Sequence, residues 1–114
     1  MEEKELKEIE DIGDLIMELK EYIRECGEAA NEKGWIITWE TLPRYLLATI
    51  DELTDAFESG WRDDKKEKAN EEICDCLVRL FHICHDLEIP AEKILKRIMK
   101  NNKKRAYKHG HKRM

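Results

Sequence analysis

The sequence predicts an all-α protein built as a four-helix bundle, and three observations support this fold class. Charged residues make up 41% of the 114 residues, yet aliphatic residues recur in steps of three and four along the chain. The alternation typical of strands is nearly absent, and the chain has only two prolines and five glycines. A chain of this length forms one domain with a thin core, so we expect oligomerisation to complete the bundle.

The first predicted helix runs from Glu3 to Glu32. Its apolar residues form one stripe at helical spacing, and they are Leu6, Ile9, Ile12, Leu15, Ile16, Leu19, Tyr22 and Ile23. The segment NEKGW follows, and a glycine just beyond a helix commonly adopts the left-handed conformation that ends it. We therefore expect Gly34 to cap this helix.

The second predicted helix begins after the loop WIITWETLP. Thr41 is the expected N-cap, because its hydroxyl suits the unpaired N–H groups of a first turn. Pro43 then lies in that turn, where its missing N–H has no cost. We expect this helix to continue to Ser59 and to end at Gly60.

The third and fourth predicted helices follow the turn GWRDDK. Asp63 or Asp64 should cap the third helix, which extends to about Leu87. Pro90 should open the fourth helix, PAEKILKRIMKNNKKR, because proline favours the first position of a helix. We assign residues 1–104 to one domain and residues 105–114 to a basic C-terminal tail.

Charge is distributed unevenly along the chain. The formal net charge is −5, and residues 93–114 hold ten Lys and Arg without an acidic residue, which leaves −15 on residues 1–92. A basic tail on an acidic body is typical of a nucleic-acid-binding arm. It is equally typical of a tail that folds over the acidic region, or over an anion held there.

The N-terminal sequence MEEKELKEIED has no apolar run behind it, so we expect neither a signal peptide nor a membrane span. The four cysteines include three in one predicted helix, which suits reduced thiols better than a disulfide framework. These features predict a cytoplasmic protein that has no membrane partner.

Two helices that should pack into the core carry acidic clusters. Glu52 and Asp55 are three residues apart on the second helix, and Glu72 and Asp75 are three apart on the third. Residues at this spacing share a helix face, and antiparallel helices joined by a short turn lie side by side. The four carboxylates should therefore surround one small volume, although in so charged a chain solvated surface acids are the alternative.

Four converging carboxylates repel one another unless a cation lies among them. Oxygen ligands suit Mg²⁺, which usually keeps waters and recruits substrate phosphates. The chemistry implied is metal-assisted displacement at phosphorus by water. We expect Glu52 to orient or deprotonate that water, since no Ser–His–Asp arrangement is evident.

The acidic clusters also resemble a known signature. The segments IDELTDAFE and NEEICDCLVRL resemble the EExxE and ExxD motifs of the MazG-like all-α nucleoside triphosphate pyrophosphohydrolases. The segment NKKRAYKHG resembles the N-x-x-R-P-Y-x-H-G ending of some small members of that family. Together these segments lie in about the last two thirds of the chain.

This resemblance implies a MazG-like bundle that hydrolyses a nucleoside triphosphate, NTP or dNTP, between its α and β phosphates. The products are a nucleoside monophosphate and pyrophosphate. Mg²⁺ is the implied cofactor, with Mn²⁺ as a substitute. A homodimer or homotetramer is implied, in which a neighbouring chain helps cover the nucleotide.

The resemblance also assigns site residues. The implied metal ligands are Glu52, Asp55, Glu72 and Asp75. The implied substrate contacts are Asp51, which stands at the first of the paired glutamates, and Asn102, Arg105, Tyr107 and His109.

Four positions depart from the family pattern. Asp51 and Asp55 replace glutamates, which shortens each side chain by one methylene. Ala106 replaces a proline, and Ile98 stands where some relatives have a phosphate-binding lysine. Lys100, or alternatively Lys96 or Arg97, would have to supply that contact.

Two other functions remain open from the sequence. One is a nucleotide- or metal-binding module that keeps the fold without turnover, as the two shortened acids suggest. The other is a helical interaction protein whose basic tail contacts nucleic acid. A tail that clamps a polyphosphate explains the charge asymmetry without nucleic acid, so we favour the enzyme.

Further polar and aromatic residues have less specific interpretations. A zinc site is disfavoured by spacing along one continuous helix, although the potential ligands are Cys74, Cys76, His82, Cys84 and His85. We expect Cys74, Leu77 and Cys84 to lie in the core and His82 to be a surface or satisfied buried residue. Trp35, Trp39 and Trp61 are expected to pack between helices. For Trp35 and Trp39, stacking on a base is the alternative.

Overall fold

The computed structural model describes residues 18–105, and all regular structure within this part of the chain is helical. The elements are α1 (Leu19–Glu32), α2 (Leu42–Asp55), a π-helical turn (Ala56–Trp61), α3 (Lys66–Asp86) and α4 (Ala91–Lys104). Within residues 18–105, the prediction of an all-α fold with four α-helices is confirmed. None of these described helices combines the length and the apolarity needed to cross a membrane.

Helix α1 ends where the sequence predicted but begins later. Gly34 has a φ of 91°, as expected for the left-handed cap. Glu18 has an extended backbone, and its carbonyl accepts hydrogen bonds from the N–H groups of Glu21 and Tyr22. Glu18 therefore starts a helix instead of continuing one, so the prediction of an unbroken helix through this residue is wrong. The predicted stretch before it lies outside the described residues.

Helix α2 begins at the predicted place, but the side chain of its N-cap residue makes no capping hydrogen bond. Thr41 occupies the N-cap position and Pro43 the first turn, but the Thr41 hydroxyl accepts a 2.9 Å hydrogen bond from the N–H of Thr38. The helical path does not stop at Gly60 as predicted, because the π-helical turn continues it to Trp61. A Cβ at Gly60 would lie 2.7 Å from the Cβ of Ala69, so this glycine serves close packing rather than termination.

The start of α3 corrects another prediction. Neither Asp63 nor Asp64 caps this helix, since Lys65 is its N-cap and Asp64 has a left-handed φ of 55°. The turn therefore uses aspartate's tolerance of positive φ instead of its capping ability. The end of α3 at Asp86 lies one residue from the prediction, and Pro90 precedes α4 as expected.

Helix α3 lies between α1 and α2 and packs against both. On the α1 side, Tyr22 and Phe81 have ring centroids 6.3 Å apart, and Gly27 lies directly against the ring of His85. Toward α2, the thiol of Cys76 lies 3.7 Å from the carbonyl oxygen of Thr49. Within the described part of the chain, α3 is therefore the central helix that both α1 and α2 contact.

The core is small and differs from the predicted one. The buried hydrophobic residues of the described part are Ile37, Ala56, Cys76 and Ile83. Cys74 and Leu77 are exposed and Cys84 is only partly buried, so the prediction of core positions is wrong for the first two. The reason is that α3 turns Cys76 toward α2, and Cys74 and Leu77 then lie on other faces of the helix.

Candidate metal centre

The site is built on the antiparallel pair α2 and α3. The contacts Thr49–Cys76 and Gly60–Ala69 fix their alignment, because residue numbers rise on one helix as they fall on the other. These seam residues are small, so the two backbones approach closely. Side chains that flank the seam on neighbouring turns are consequently brought together.

Three of the predicted ligands converge beside this seam. Glu52, Asp55 and Glu72 each offer a carboxylate oxygen, and the three oxygens lie within 4.8 Å of one another. Glu52 and Glu72 are partly buried and Asp55 is exposed. Among the described residues this is the one group of three or more potential metal-ligating side chains.

The two glutamates affect each other's protonation. A hydrogen bond with Glu72, followed by one from Arg79, lowers the pKa of Glu52. The same hydrogen bond to Glu52 raises the pKa of Glu72, and desolvation and the charges of Glu52, Asp55 and Asp75 add to this rise. Of the two glutamates, Glu72 is therefore the one that takes up a proton at the higher pH.

Arg79 is a member of this site that the sequence interpretation missed. Its Nη2 donates a 3.1 Å hydrogen bond to Oε1 of Glu52. The Arg79 side chain is 41% exposed and the Glu52 side chain 20% exposed, so the guanidinium can bind Glu52 and still present N–H groups to solvent. The sequence did contain a signal for Arg79: it lies seven residues after Glu72, which is two helical turns along the same face.

The structure does not bring all predicted site residues into the acidic group. Asp75 lies outside the group of three, although its charge acts on Glu72. Asp51 is exposed on α2 and is also outside the group.

The structure describes only some of the substrate contacts that were predicted in the basic C-terminal segment, residues 93–114. Lys100 and Asn102 are exposed on α4, and Arg105 follows its last turn with extended backbone. No hydrogen bond or ion pair within the described residues joins Lys100 or Asn102 to the acidic group. Tyr107 and His109 lie outside the described residues.

A second polar cluster fixes the loop between α1 and α2. The carboxylate of Asp86, with a side chain only 3% exposed, accepts hydrogen bonds from Asn31, from the N–H of Ile37 and from His85. Nε2 of His82 lies 2.9 Å from Asp86 and 3.1 Å from the carbonyl oxygen of Trp35. Since both partners only accept, this nitrogen carries a proton. Of the two alternatives that the sequence left open for His82, a surface residue or a satisfied buried one, the structure shows the second.

The tryptophans of this loop do not pack between helices as predicted. Trp35 is 57% exposed and Trp39 is 74% exposed. The same prediction is wrong for Trp61, at the end of the π-helical turn, which is 71% exposed. The Asp86 cluster anchors the loop backbone, and the rings remain accessible. The alternative, an accessible stacking surface for a base, stays a prediction.

Comparisons with protein-family models, with curated proteins and with solved structures gave no match for this chain.

Proposed function

We propose that this chain hydrolyses a nucleoside triphosphate, NTP or dNTP, to its monophosphate and pyrophosphate, with Mg²⁺ as cofactor. The observation that carries the proposal is the convergence of Glu52, Asp55 and Glu72 within 4.8 Å from two helices. Such a group retains a proton or takes up a cation to relieve repulsion. The MazG-like resemblance of the same residues supports the choice of reaction.

The donor set fits the proposed metal. Carboxylate oxygens are the ligands preferred by Mg²⁺ and Mn²⁺, and the group contains no thiolate or imidazole that would favour zinc. When bound, the ion would supply Lewis acidity toward phosphate oxygens and toward a water. Asp75 is proposed as a further ligand through a water, because it lies near enough to act on Glu72 by charge.

The side chains of the chain itself have separable roles in this proposal. Glu52 is the proposed base, because its lowered pKa keeps it ionised at neutral pH. Arg79 orients Glu52 through their 3.1 Å hydrogen bond. Its remaining N–H groups are suited to phosphate oxygens, which a guanidinium binds in a fixed planar geometry.

The basic segment is proposed to bind the polyphosphate. Residues 93–114 carry ten Lys and Arg, a composition that complements a nucleoside triphosphate. The proposed contacts are Lys100, Asn102, Arg105, Tyr107 and His109, together with Asp51 beside the metal ligands. A cytoplasmic homodimer or homotetramer is part of the same proposal.

A nucleotide- or metal-binding module without turnover is the second candidate. The observation that favours it is that Asp75 lies outside the acidic group, so three carboxylates converge where the resemblance implies four. Binding of Mg²⁺ and of a non-hydrolysable triphosphate, with no product formed, would identify this function.

The test is pyrophosphate release from a panel of canonical and modified NTPs and dNTPs with Mg²⁺. Glu72→Gln removes one carboxylate of the group, and Glu71→Gln makes the same change at an exposed neighbour. We expect turnover by the wild type and the Glu71 variant, and a loss of roughly 100-fold or more in the Glu72 variant. No pyrophosphate from any substrate, or equal activity in all three proteins, would refute the proposal.

A further inference from the structure

A groove lies between the start of α1 and the start of α4. It has a volume of about 570 Å³. The apolar residues that line it come from α1 and from the stretch that leads into α4, and they are Leu19, Ile23, Ile89, Pro90 and Ala91. The floor of the groove is therefore suited to apolar side chains.

Positive charge surrounds this apolar floor. The lysines Lys20, Lys93 and Lys96 also line the groove, together with one acidic residue, Glu92. Glu92 pairs with Lys96 at 3.2 Å, and between residues 18 and 105 this is the one ion pair of α4. The exposed Lys93 has no carboxylate partner in that part of the chain. An occupant that is both apolar and acidic would therefore complement the groove.

Helix α4 needs a partner along the same side. Spacing by four places Leu95 and Met99 in line with Ala91, so the apolar lining of the groove continues along the helix. Leu95 is 43% exposed and Met99 is 57% exposed, and no residue of α4 is buried. A helix of 14 residues is only marginally stable in water without tertiary packing.

We propose that residues 1–17 of the same chain dock in this groove and along the Ala91–Leu95–Met99 side of α4. These residues carry seven acidic and two basic side chains, a net charge of −5, whereas six basic and one acidic side chain give α4 a net charge of +5. The segment is also rich in apolar residues, which are Leu6, Ile9, Ile12, Leu15 and Ile16. This inference does not rest on the proposed function.

The position where the segment joins α1 favours this occupant. Leu19 is the first residue of α1 and itself lines the groove. Glu18 has an extended backbone, with φ −78° and ψ 161°, so the preceding chain leaves the axis of α1. Even at the helical rise of about 1.5 Å per residue, seventeen residues span about 25 Å, which exceeds the roughly 21 Å of α4. Docking within one chain also has a high effective concentration, which favours it over docking between chains.

The other end of the chain does not complement the groove. Residues 106–114 contain Lys108, Lys112 and Arg113 and no acidic residue. Like charges on this segment and on α4 repel each other, so charge selects residues 1–17 as the occupant.

Zero-length carbodiimide cross-linking of the full chain, followed by mass spectrometry, tests the docking. The reagent joins a carboxylate to a lysine amine that is in contact with it, and the Glu92–Lys96 pair at 3.2 Å is an internal positive control. Acidic residues of the segment should link to Lys93 or Lys96 at a yield roughly 5-fold or more above links to Lys33 and Lys66. These two lysines are exposed and lie off the groove, at the end of α1 and the start of α3.

A mixture of unlabelled and ¹⁵N-labelled chains distinguishes docking within a chain from docking between chains. Cross-links within one chain join only peptides of the same label. Links that join an unlabelled to a labelled peptide would overturn the inference, because the segment would then bind a second copy. Yields at Lys93 and Lys96 no higher than those at Lys33 and Lys66 would overturn it as well.

Substitutions in the segment test whether its apolar residues hold it in the groove. Ile9→Asn/Ile16→Asn should lower the links to Lys93 and Lys96 by roughly 10-fold or more, because both side chains lose their burial. Ile36→Asn is the matched control, since Ile36 is 61% exposed in the loop before α2 and lies off the groove.

A milder pair keeps the test decisive if the polar variant does not fold. Ile9→Ala/Ile16→Ala shortens the same side chains without adding a polar group, and it should lower these links by roughly 5-fold with helix content unchanged by circular dichroism. Links that persist at the wild-type yield in a folded variant of either pair would refute the inference.

Discussion

Replacing Asp86 by Asn should lower the free energy of unfolding by about 3 kcal/mol. The Asp86 side chain is 3% exposed, and all of its partners donate into the carboxylate. An amide group in place of Oδ2 would oppose the N–H of Ile37 at 2.8 Å and Nε2 of His82 at 2.9 Å. Two lost hydrogen bonds to a charged acceptor, at about 1.5 kcal/mol each, give this value.

Urea and thermal denaturation measure the effect. In a domain of this size, about 3 kcal/mol corresponds to a fall in Tm of about 10–20 °C. Asp63→Asn is the control, since Asp63 undergoes the same chemical change at an exposed position of the α2–α3 turn. If Asp86→Asn changed the free energy of unfolding by less than about 0.5 kcal/mol, as surface substitutions do, the carboxylate would not be the anchor inferred from the structure.

The difference in the free energy of unfolding between the wild type and Asp86→Asn should depend on pH in a definite direction. Burial raises the pKa of Asp86, but the hydrogen bonds from His85, the N–H of Ile37 and Asn31 outweigh it and hold the pKa below the ordinary value of 3.8. A lowered pKa contributes stability that is complete above 3.8 and is lost as the pH falls through the folded-state value. The free energy of unfolding of the wild type should therefore exceed that of Asp86→Asn by a constant amount near neutral pH, and this excess should disappear as the pH falls below about 3.8.

Three further outcomes are expected. Affinity for Mn²⁺ or Mg²⁺, measured by calorimetry, should fall as the solution is acidified, and Glu72 should be protonated before Glu52, because the hydrogen bond to Glu52 raises the pKa of Glu72 and a protonated carboxyl group binds metal poorly; an affinity that does not change on acidification would contradict the raised pKa of Glu72. Arg79→Met should lower kcat/KM for pyrophosphate release by roughly 10-fold or more, because phosphate and Glu52 both lose the guanidinium, and an unchanged value would remove Arg79 from the site. Gly27→Ala should lower the free energy of unfolding in urea by about 1–3 kcal/mol, because its Cβ would overlap the ring of His85, whereas a gain of stability would show that α1 and α3 separate easily.

The acidic group could be predicted because local rules determine most of it. Spacing by three placed Glu52 and Asp55 on one helix face, and the short turn placed Glu72 on the neighbouring helix. The same reasoning failed for Asp75. Its direction around the α3 axis differs by about 60° from that of Glu72, and the spacing rule does not say which of the two side chains lies nearer the seam.

Features that depend on tertiary contact could not be predicted in the same way. The π-helical turn Ala56–Trp61 continues past a glycine that helix rules assign to termination. Gly60 is there because Ala69 on α3 approaches it closely. Similarly, apolar residues occur on several sides of α3, so periodicity does not distinguish the buried Cys76 from the exposed Leu77.

The same small residues explain why the helix pair has two such different faces. With Thr49 opposite Cys76 and Gly60 opposite Ala69, the seam is too narrow to hold large side chains. Large apolar residues are consequently excluded to one side, and charged residues such as Glu52 to the other. Close approach of the backbones then forces the carboxylates together, which favours a shared proton or a cation. The candidate metal site thus follows from the small size of the residues between α2 and α3.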